Sequence, residues 1–441
     1  MQEGFRMKDA VLLYGIVYPS AGLALFSVSW LIARRQMSAH LLWVVTACGV
    51  LASVVRLVFL GRSGSLGVDY RIFYKAGLDI LAGVSPYLPS RFTHHPILHP
   101  PTTYPIFALI AAVPFSTGLA VWTIVNSVLA FTVVWQARRV LAMQGTDGPS
   151  GLSNAELWAL ATAFGLSDAC MATIQLGQLS LVATALILLA LECQARQEPY
   201  RAGAVLGVAT MKVSTMLPFL LLFTRKADRK SWIALAVTGV ILILLGGQAS
   251  RIIEDLRLEI GYIGQLSMPG RVNDVSYHGP YNEWILGIDH LAYRLGVHHR
   301  SSLALIQGLT LILIGAWLGW EIISRKISRV QGTVLLSLFS VIFLYHRLYD
   351  TVMIAPALVY AVDQAKSQRG RRQFLFAGAV VTMLGILYMR RKTLAMLTVW
   401  VTTHSGMAAS LIETLILPYA TWLILLSIVL LRAAIACAKR A

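Results

Sequence analysis

An all-α polytopic membrane protein is the fold class this chain predicts, and three observations predict it. Of its 441 residues, 57% are hydrophobic and only 13% are charged. Soluble domains carry about 25% charged residues, which excludes an ordinary soluble enzyme, a disordered chain and a disulfide scaffold. The mean hydropathy is +0.69, and the apolar residues, roughly 250 in all, supply about a dozen helices of about 20 residues each. No polar stretch much exceeds about 50 residues, too little for a separate soluble domain. Residues 1–441 are therefore expected to form one integral membrane domain.

The apolar runs fall at 11–33, 40–60, 104–115, 118–137, 155–175, 177–192, 202–223, 231–248, 301–323, 330–346, 348–363, 373–389, 394–402 and 411–433. Arg6 and Lys8 precede the first, which is too long for a signal-peptide core and is expected to span. The run 104–115 extends only about 18 Å as a helix, too short to cross unaided. Lys212 interrupts 202–223, with Pro218 beyond it. A lysine at membrane depth is costly and usually lines a cavity. Half-helices or hairpins are therefore expected at 104–115, 202–223 and 394–402, where broken helices can line a polar cavity.

Two hydrophilic loops separate these runs, 61–103 and 249–300. The second holds five Arg and Lys against six Asp and Glu. The short loops are basic instead: Arg34 and Arg35, then 225–230, 324–329 and 366–372. Basic residues accumulate in cytoplasmic loops. This bias explains the net charge of +17 without a nucleic-acid partner and places both long loops outside. Arg390, Arg391 and Lys392 break simple alternation. Cys48, Cys170, Cys193 and Cys437 have no metal-type spacing and no reason to form disulfides. No internal repeat is evident, which counts against a transporter built from symmetric halves.

In the first loop the spacing predicts an amphipathic helix from Asp69 to Gly83. Arg71, Lys75 and Asp79 share one face, and Ile72, Phe73, Ala76 and Ile80 share the other. Asp69 suits the N-cap, Gly83 suits the C-terminus, and Pro86 blocks continuation. Such a helix lies on the membrane surface. It puts Asp69 at the lipid–water boundary, where it reads either as a helix cap or as a partly desolvated general base.

Asp69-Tyr70, Tyr74 and Ala76 are followed in order by Gly83, Pro86-Tyr87, Tyr104-Pro105, Phe107, Pro114 and Trp122. Then come Gly177-Gln178, Gly203, Gly207, Lys212, Pro218 and His346-Arg347-x-Tyr349-Asp350. Over residues 60 to about 360 this series resembles the polyprenol-phosphate-mannose-dependent mannosyltransferases of glycosyltransferase family 87, in the GT-C superfamily. The chain departs from the family pattern at Tyr104-Pro105-Ile106, where Tyr-Pro-Pro is usual. It departs again at Asn282-Glu283-Trp284, where Asn-Gln-Ser is usual.

The resemblance implies a GT-C fold with about 11–13 transmembrane helices and an amphipathic juxtamembrane helix. It implies a hexosyltransferase moving mannose from a polyprenyl-phosphate donor, with inversion, to a lipid or glycan acceptor. The expected setting is the external face of the bacterial inner membrane, among membrane lipids. Such chemistry needs a base, and Asp69 fits. It needs cations on the departing phosphate, and Lys212, His346 and Arg347 are the candidates. It needs polar groups for sugar and acceptor: Tyr74, Gln178, Asn282, Glu283, Trp284 and Asp350. Lys212 also reads as a snorkelling helix end, the His346–Asp350 group as a salt-bridged helix terminus, and Gln178 as a packing amide. Asp168 and Glu413 read as structural acids. His94, His95 and His99 resemble a metal cluster but lack a nearby Cys or acid, and acceptor binding or ordinary loop roles suit them better. The sequence points to no particular cofactor and does not require a divalent metal. The alternative functions are a transporter or flippase of a lipid-linked sugar and a non-catalytic partner in envelope assembly.

Overall fold

The computed structural model describes residues 64–88, 97–145, 151–247, 249–268, 270–271, 273–275, 285–344, 346–388 and 418–438, with isolated positions between 47 and 61. The expected spans at 11–33 and 394–402 lie outside the described residues, as do most of 40–60, Arg390–Lys392 and Glu413.

The described chain is helical, as its composition predicts. Among the described residues, four runs have by count the length and apolarity to cross a membrane: Phe115–Met143, Arg300–Ile323, Tyr419–Cys437 and Pro199–Phe223, the last of which turns back on itself. Large apolar side chains such as Ile124, Ile241, Ile312 and Val381 stand exposed on the helices. That pattern suits helices bathed in lipid rather than water.

The first loop folds into α1, Val68–Leu81, and is followed by α2, Tyr104–Ala111. Asp69 lies inside the first turn of α1, not at the N-cap; Gly67 caps the helix in the left-handed conformation. Asp79 is fully buried, so the Arg71–Lys75–Asp79 stripe is not one solvent face. Gly77 lets α1 press against the Phe107 carbonyl of α2, where any side chain would clash. Next comes α3, Phe115–Met143, about 43 Å long.

The run 155–175 is not one straight span. It forms α4, Asn154–Gly165, and α5, Asp168–Leu176, bent by 53°. Ser167 restarts the helix by accepting from the Cys170 N–H, so the bend costs little backbone hydrogen bonding. α6 follows at Ser180–Ala195.

The run 202–223 folds back on itself. α7, Pro199–Ala209, ends in a 3₁₀ turn at Thr210–Lys212. The chain then continues through α8, Val213–Met216, and a 3₁₀ stretch, Leu217–Phe223. α9, Arg229–Leu245, packs beside α7. Gly203 faces the Ser231 carbonyl and Gly207 faces Leu235 and Thr238, so α7 and α9 run parallel. Two parallel neighbours require a return between them. Helix and 3₁₀ geometry give a rise of about 22 Å over 199–212 and a descent of about 20 Å over 213–223. The descent ends where Gln194 Nε2 donates to the Leu222 carbonyl at 2.9 Å and to Asp228 at 3.0 Å. The expected hairpin is therefore present, with Lys212 at its apex. The Gly203/Gly207 pair serves the close packing that small residues allow within lipid.

α10, Ile252–Leu266, lies in the second loop. Asp255 and Leu258 turn toward the protein, Glu254 and Arg257 toward water, and Ile253, Leu256, Ile260 and Ile263 form an exposed apolar stripe. A helix with three such faces fits the membrane boundary. Ile285–Leu286 form β1, followed by α11, Ile288–Arg294, and α12, Arg300–Ile323. α13 is Arg329–Ile342. β2, His346–Arg347, pairs antiparallel with β1, with Ile285 opposite Arg347. A 3₁₀ stretch, Leu348–Ile354, leads into α14, Ala355–Ser367; α15, Gly370–Tyr388, and α16, Tyr419–Ala438, complete the described bundle.

One end of the bundle gathers the basic short loops. Arg329 reaches Asp228 at 3.5 Å, Lys366 reaches Glu156 at 2.6 Å, Arg432 reaches Glu321 at 2.8 Å, and Arg139 reaches Glu192 at 3.0 Å. The opposite end carries α1, α10, the β1–β2 pair and the hairpin apex. Among the described residues the cysteines Cys170, Cys193 and Cys437 are free.

Candidate active site

The candidate site lies at the end opposite the basic loops, where α1, the α5–α6 turn, the hairpin apex and the 346–350 segment meet. Each is held there by a local device. α5 ends on Gly177 at φ 74, with the Gln178 N–H returning to the Thr173 carbonyl at 2.9 Å. This is the closing turn that glycine favours. A Cβ at Gly177 would lie 2.6 Å from Tyr70 Cβ, so glycine also permits the contact with α1. Trp122 Nε1 donates to the Gly177 carbonyl at 3.0 Å, and the Gly67 N–H to the Gln175 carbonyl at 2.7 Å. These bonds align the start of α1 with the end of α5. Gln178 Nε2 consequently donates to Asp69 Oδ2.

Burial pushes the Asp69 carboxyl above its ordinary value. The Gln178 hydrogen bond opposes the shift, as do the charges of Arg347 and Lys212, while Asp350 adds to it. Those influences also place Asp69 within electrostatic reach of both cations.

The opposite wall is a buried network centred on Asp350. Lys212 Nζ lies 2.5 Å from Asp350 Oδ1 and donates to Ser180 Oγ at 2.9 Å. Ser180 Oγ donates to Asp350 Oδ1 at 2.6 Å. On Oδ2, Asp350 meets His346 Nδ1 at 3.0 Å and the Arg347 N–H at 3.1 Å. The Lys212 ammonium also stands 5.3 Å from the Tyr349 ring centroid. The Arg347 guanidinium is half-buried and reaches Asn273 Oδ1 at 3.5 Å. His346 is almost wholly buried, and its Nε2 has no hydrogen-bond partner among the described residues.

Of the sequence-predicted residues, the structure brings together Asp69, Gln178, Lys212, His346, Arg347 and Asp350. Tyr74 stands apart: its ring packs edge-on to Phe115 at 5.3 Å and near Tyr70 at 6.4 Å, within an aromatic cluster. Asn282, Glu283 and Trp284 lie outside the described residues; Ile285, which follows them, pairs with Arg347. His94 and His95 also lie outside. His99 Nδ1 is 3.0 Å from the Met211 carbonyl. Asp168 sits in the first turn of α5, near Tyr419.

Sequence reasoning passed over Ser180 and Asp255. Ser180 heads an apolar helix two residues after Gln178, a polar residue at a helix start, which alone is commonplace. Asp255 is fully buried and accepts from Ser85 Oγ at 2.6 Å and Tyr104 Oη at 2.7 Å. It ties the second long loop to the first. It is one of three acids on α10, with Glu254 and Glu259, and nothing in the sequence singles it out before its partners are known.

The sequence model of glycosyltransferase family 87 matches residues 98–346, more than half of the chain. The chain belongs to glycosyltransferase family 87. The match covers Gln178, Ser180, Lys212 and His346, while Asp69, Arg347 and Asp350 flank it in sequence and meet it in space. Comparisons with curated proteins and with solved structures find no match. As a family 87 member with lipid-facing helices, the chain is a membrane glycosyltransferase.

Proposed function

We propose that this family 87 protein moves a hexose, mannose, from a polyprenyl-phosphate carrier to a lipid or glycan acceptor, with inversion at C1. The reaction takes place at the external face of a bacterial inner membrane. One observation carries the reading: a half-buried carboxylate, Asp69, lies within electrostatic reach of two cations, Lys212 and Arg347, that come from separate elements.

The chemistry follows from that opposition. The acceptor hydroxyl attacks C1 and gives its proton to Asp69. The C1–O bond to phosphate breaks, and polyprenyl phosphate departs with the bonding electrons. Desolvation makes Asp69 a stronger base, and the Gln178 amide orients it. The ammonium of Lys212 has three N–H donors; Asp350 and Ser180 engage two, leaving one for a phosphate oxygen. The planar Arg347 guanidinium suits bidentate phosphate contact. Two fixed cations in a water-poor site supply the countercharge, so this reading calls for no divalent metal. The apolar stripe of α10 and the interfacial α1 suit a substrate that remains lipid-anchored.

Asp69→Asn tests the reading. Purified protein, polyprenyl-phosphate mannose and mixed bacterial membrane lipids should give transfer with wild type. The variant should lose about 10²–10⁴-fold in turnover while binding donor as wild type does. An Asn variant that turns over normally would remove Asp69 as the base. Movement of the lipid-linked sugar across the bilayer without transfer would favour a flippase instead.

A further inference from the structure

We propose that His99 is a substrate-contacting residue, whose Nε2 accepts a hydrogen bond from a hydroxyl group of the donor sugar or of the acceptor. The assignment rests on the reading of the site as a sugar-transfer cavity.

The ring is fixed on three sides. Nδ1 lies 3.0 Å from the Met211 carbonyl, one residue before Lys212 at the hairpin apex. A carbonyl only accepts, so Nδ1 carries the hydrogen and the neutral ring keeps its lone pair on Nε2. The ring stands edge-on to Phe73 at 5.2 Å and to Phe107 at 5.8 Å. Its carbonyl accepts from the Tyr87 hydroxyl. Three residues on, Thr210 Oγ1 donates to Thr102 Oγ1 at 3.0 Å, so the whole 99–102 segment is strapped to the apex.

Position points the same way. Asp69 and Phe73 are separated by one turn of α1 and share a face, with Cβ atoms about 5–6 Å apart. The His99 ring leans on Phe73 and so borders the face that carries Asp69. Lys212 and Asp350 both act electrostatically on the ring, which sets it beside the cationic wall as well.

The electrostatics hold the ring in the accepting form. Burial, with Lys212 nearby, lowers the His99 pKa to about 4. At neutral pH the imidazole is therefore uncharged, and it cannot serve as a phosphate-binding cation. Nε2 has no partner among the described residues. Nε2 is not sealed in the interior, so a bound hydroxyl can reach it and take the place of water as its donor. Rejection of substrates that lack such a hydroxyl is what a fixed acceptor contributes.

Two substitutions separate contact from strapping. The amide of an asparagine reaches the Nδ1 position and keeps the bond to the Met211 carbonyl. The longer glutamine places its amide near Nε2 and loses that bond. With polyprenyl-phosphate mannose as donor and a bacterial membrane-lipid extract as acceptor, His99→Asn should raise one KM by about tenfold at an unchanged Tm. His99→Gln should recover most of that affinity at a lower Tm. A raised donor KM assigns the hydroxyl to the sugar; a raised acceptor KM assigns it to the acceptor. His99→Asn with both KM values unchanged, beside an active wild type, overturns the assignment and leaves His99 a strap. A wild type that transfers nothing overturns the donor reading, and this assignment with it.

Discussion

Lys212 shows what it takes to keep a charge among apolar helices. Its ammonium is enclosed by Asp350 and Ser180, and Asp350 is satisfied in turn by His346 and the Arg347 N–H. Removing one member of a buried pair leaves an uncompensated charge, at a cost of about 3–5 kcal/mol. Removing both charges costs much less. Lys212→Met should therefore lower Tm sharply, and adding Asp350→Asn should recover most of the loss, because the amide still accepts from His346 and the Arg347 N–H. Neither protein should regain transfer, since the phosphate has lost a cation. Thermal melts of the singles and the double measure the coupling; additive losses would mean the pair is not electrostatically coupled. Asp69 obeys the opposite logic. Burial holds its pKa above 3.8, so the acid limb of the rate profile should lie above that of an ordinary aspartate. The chemical nature of these residues was legible in the sequence: an acid opening an amphipathic helix, a lysine in an apolar run, a His-Arg-x-Tyr-Asp cluster. Their mutual pairing was not. Lys212 and Asp350 are far apart in the chain, and nothing local to either indicates that each neutralises the other.

Among the elements, periodicity and apolar length located most helices to within a few residues, because lipid burial demands continuous apolar runs. Breaks were harder to read. The 53° bend between α4 and α5 turns on Ser167, a residue equally at home within a helix facing a polar partner. The 202–223 hairpin was signalled by Lys212 and Pro218, yet its direction required knowing that α7 and α9 are parallel. The second long loop was read as a near-neutral segment facing outward; its structure adds α10 as a clasp on the first loop. That clasp is sensitive to protonation. Glu259 on α10 is hydrogen-bonded to Tyr87, and burial raises its pKa to about 7. A carboxyl with a raised folded-state pKa binds more protons folded than unfolded between about 4.5 and 7, so stability falls as pH rises through that window. Between pH 5.5 and pH 8 the Tm of wild type should therefore fall relative to that of Glu259→Gln, since the amide mimics the protonated acid at every pH while the lowered pKa of His99 acts alike in both proteins. The same Tm change in both proteins would assign the pH sensitivity to another group.

Across the whole molecule the basic short loops gather at one end. The loops at 225–230, 324–329 and 366–372 lie at that end of the bundle, and the site of Asp69, Lys212 and Asp350 lies at the other. Anionic lipid on the cytoplasmic leaflet attracts each nearby Lys or Arg by about 1 kcal/mol, and positive loops resist translocation. Summed over the basic end, this favours one orientation more than any single loop could. On the proposed function the site end faces outward, where a lipid-linked sugar would be delivered. Ser267, just past α10, and Ser324, just past α12, are both exposed and sit at opposite ends. In a background without Cys48, Cys170, Cys193 and Cys437, an impermeant thiol reagent should label Ser267→Cys on intact spheroplasts. It should label Ser324→Cys only after the membrane is opened. Reversed labelling would turn the active site toward the cytoplasm. The donor would then have to be used on the face where it is made, and the charge asymmetry would need another cause.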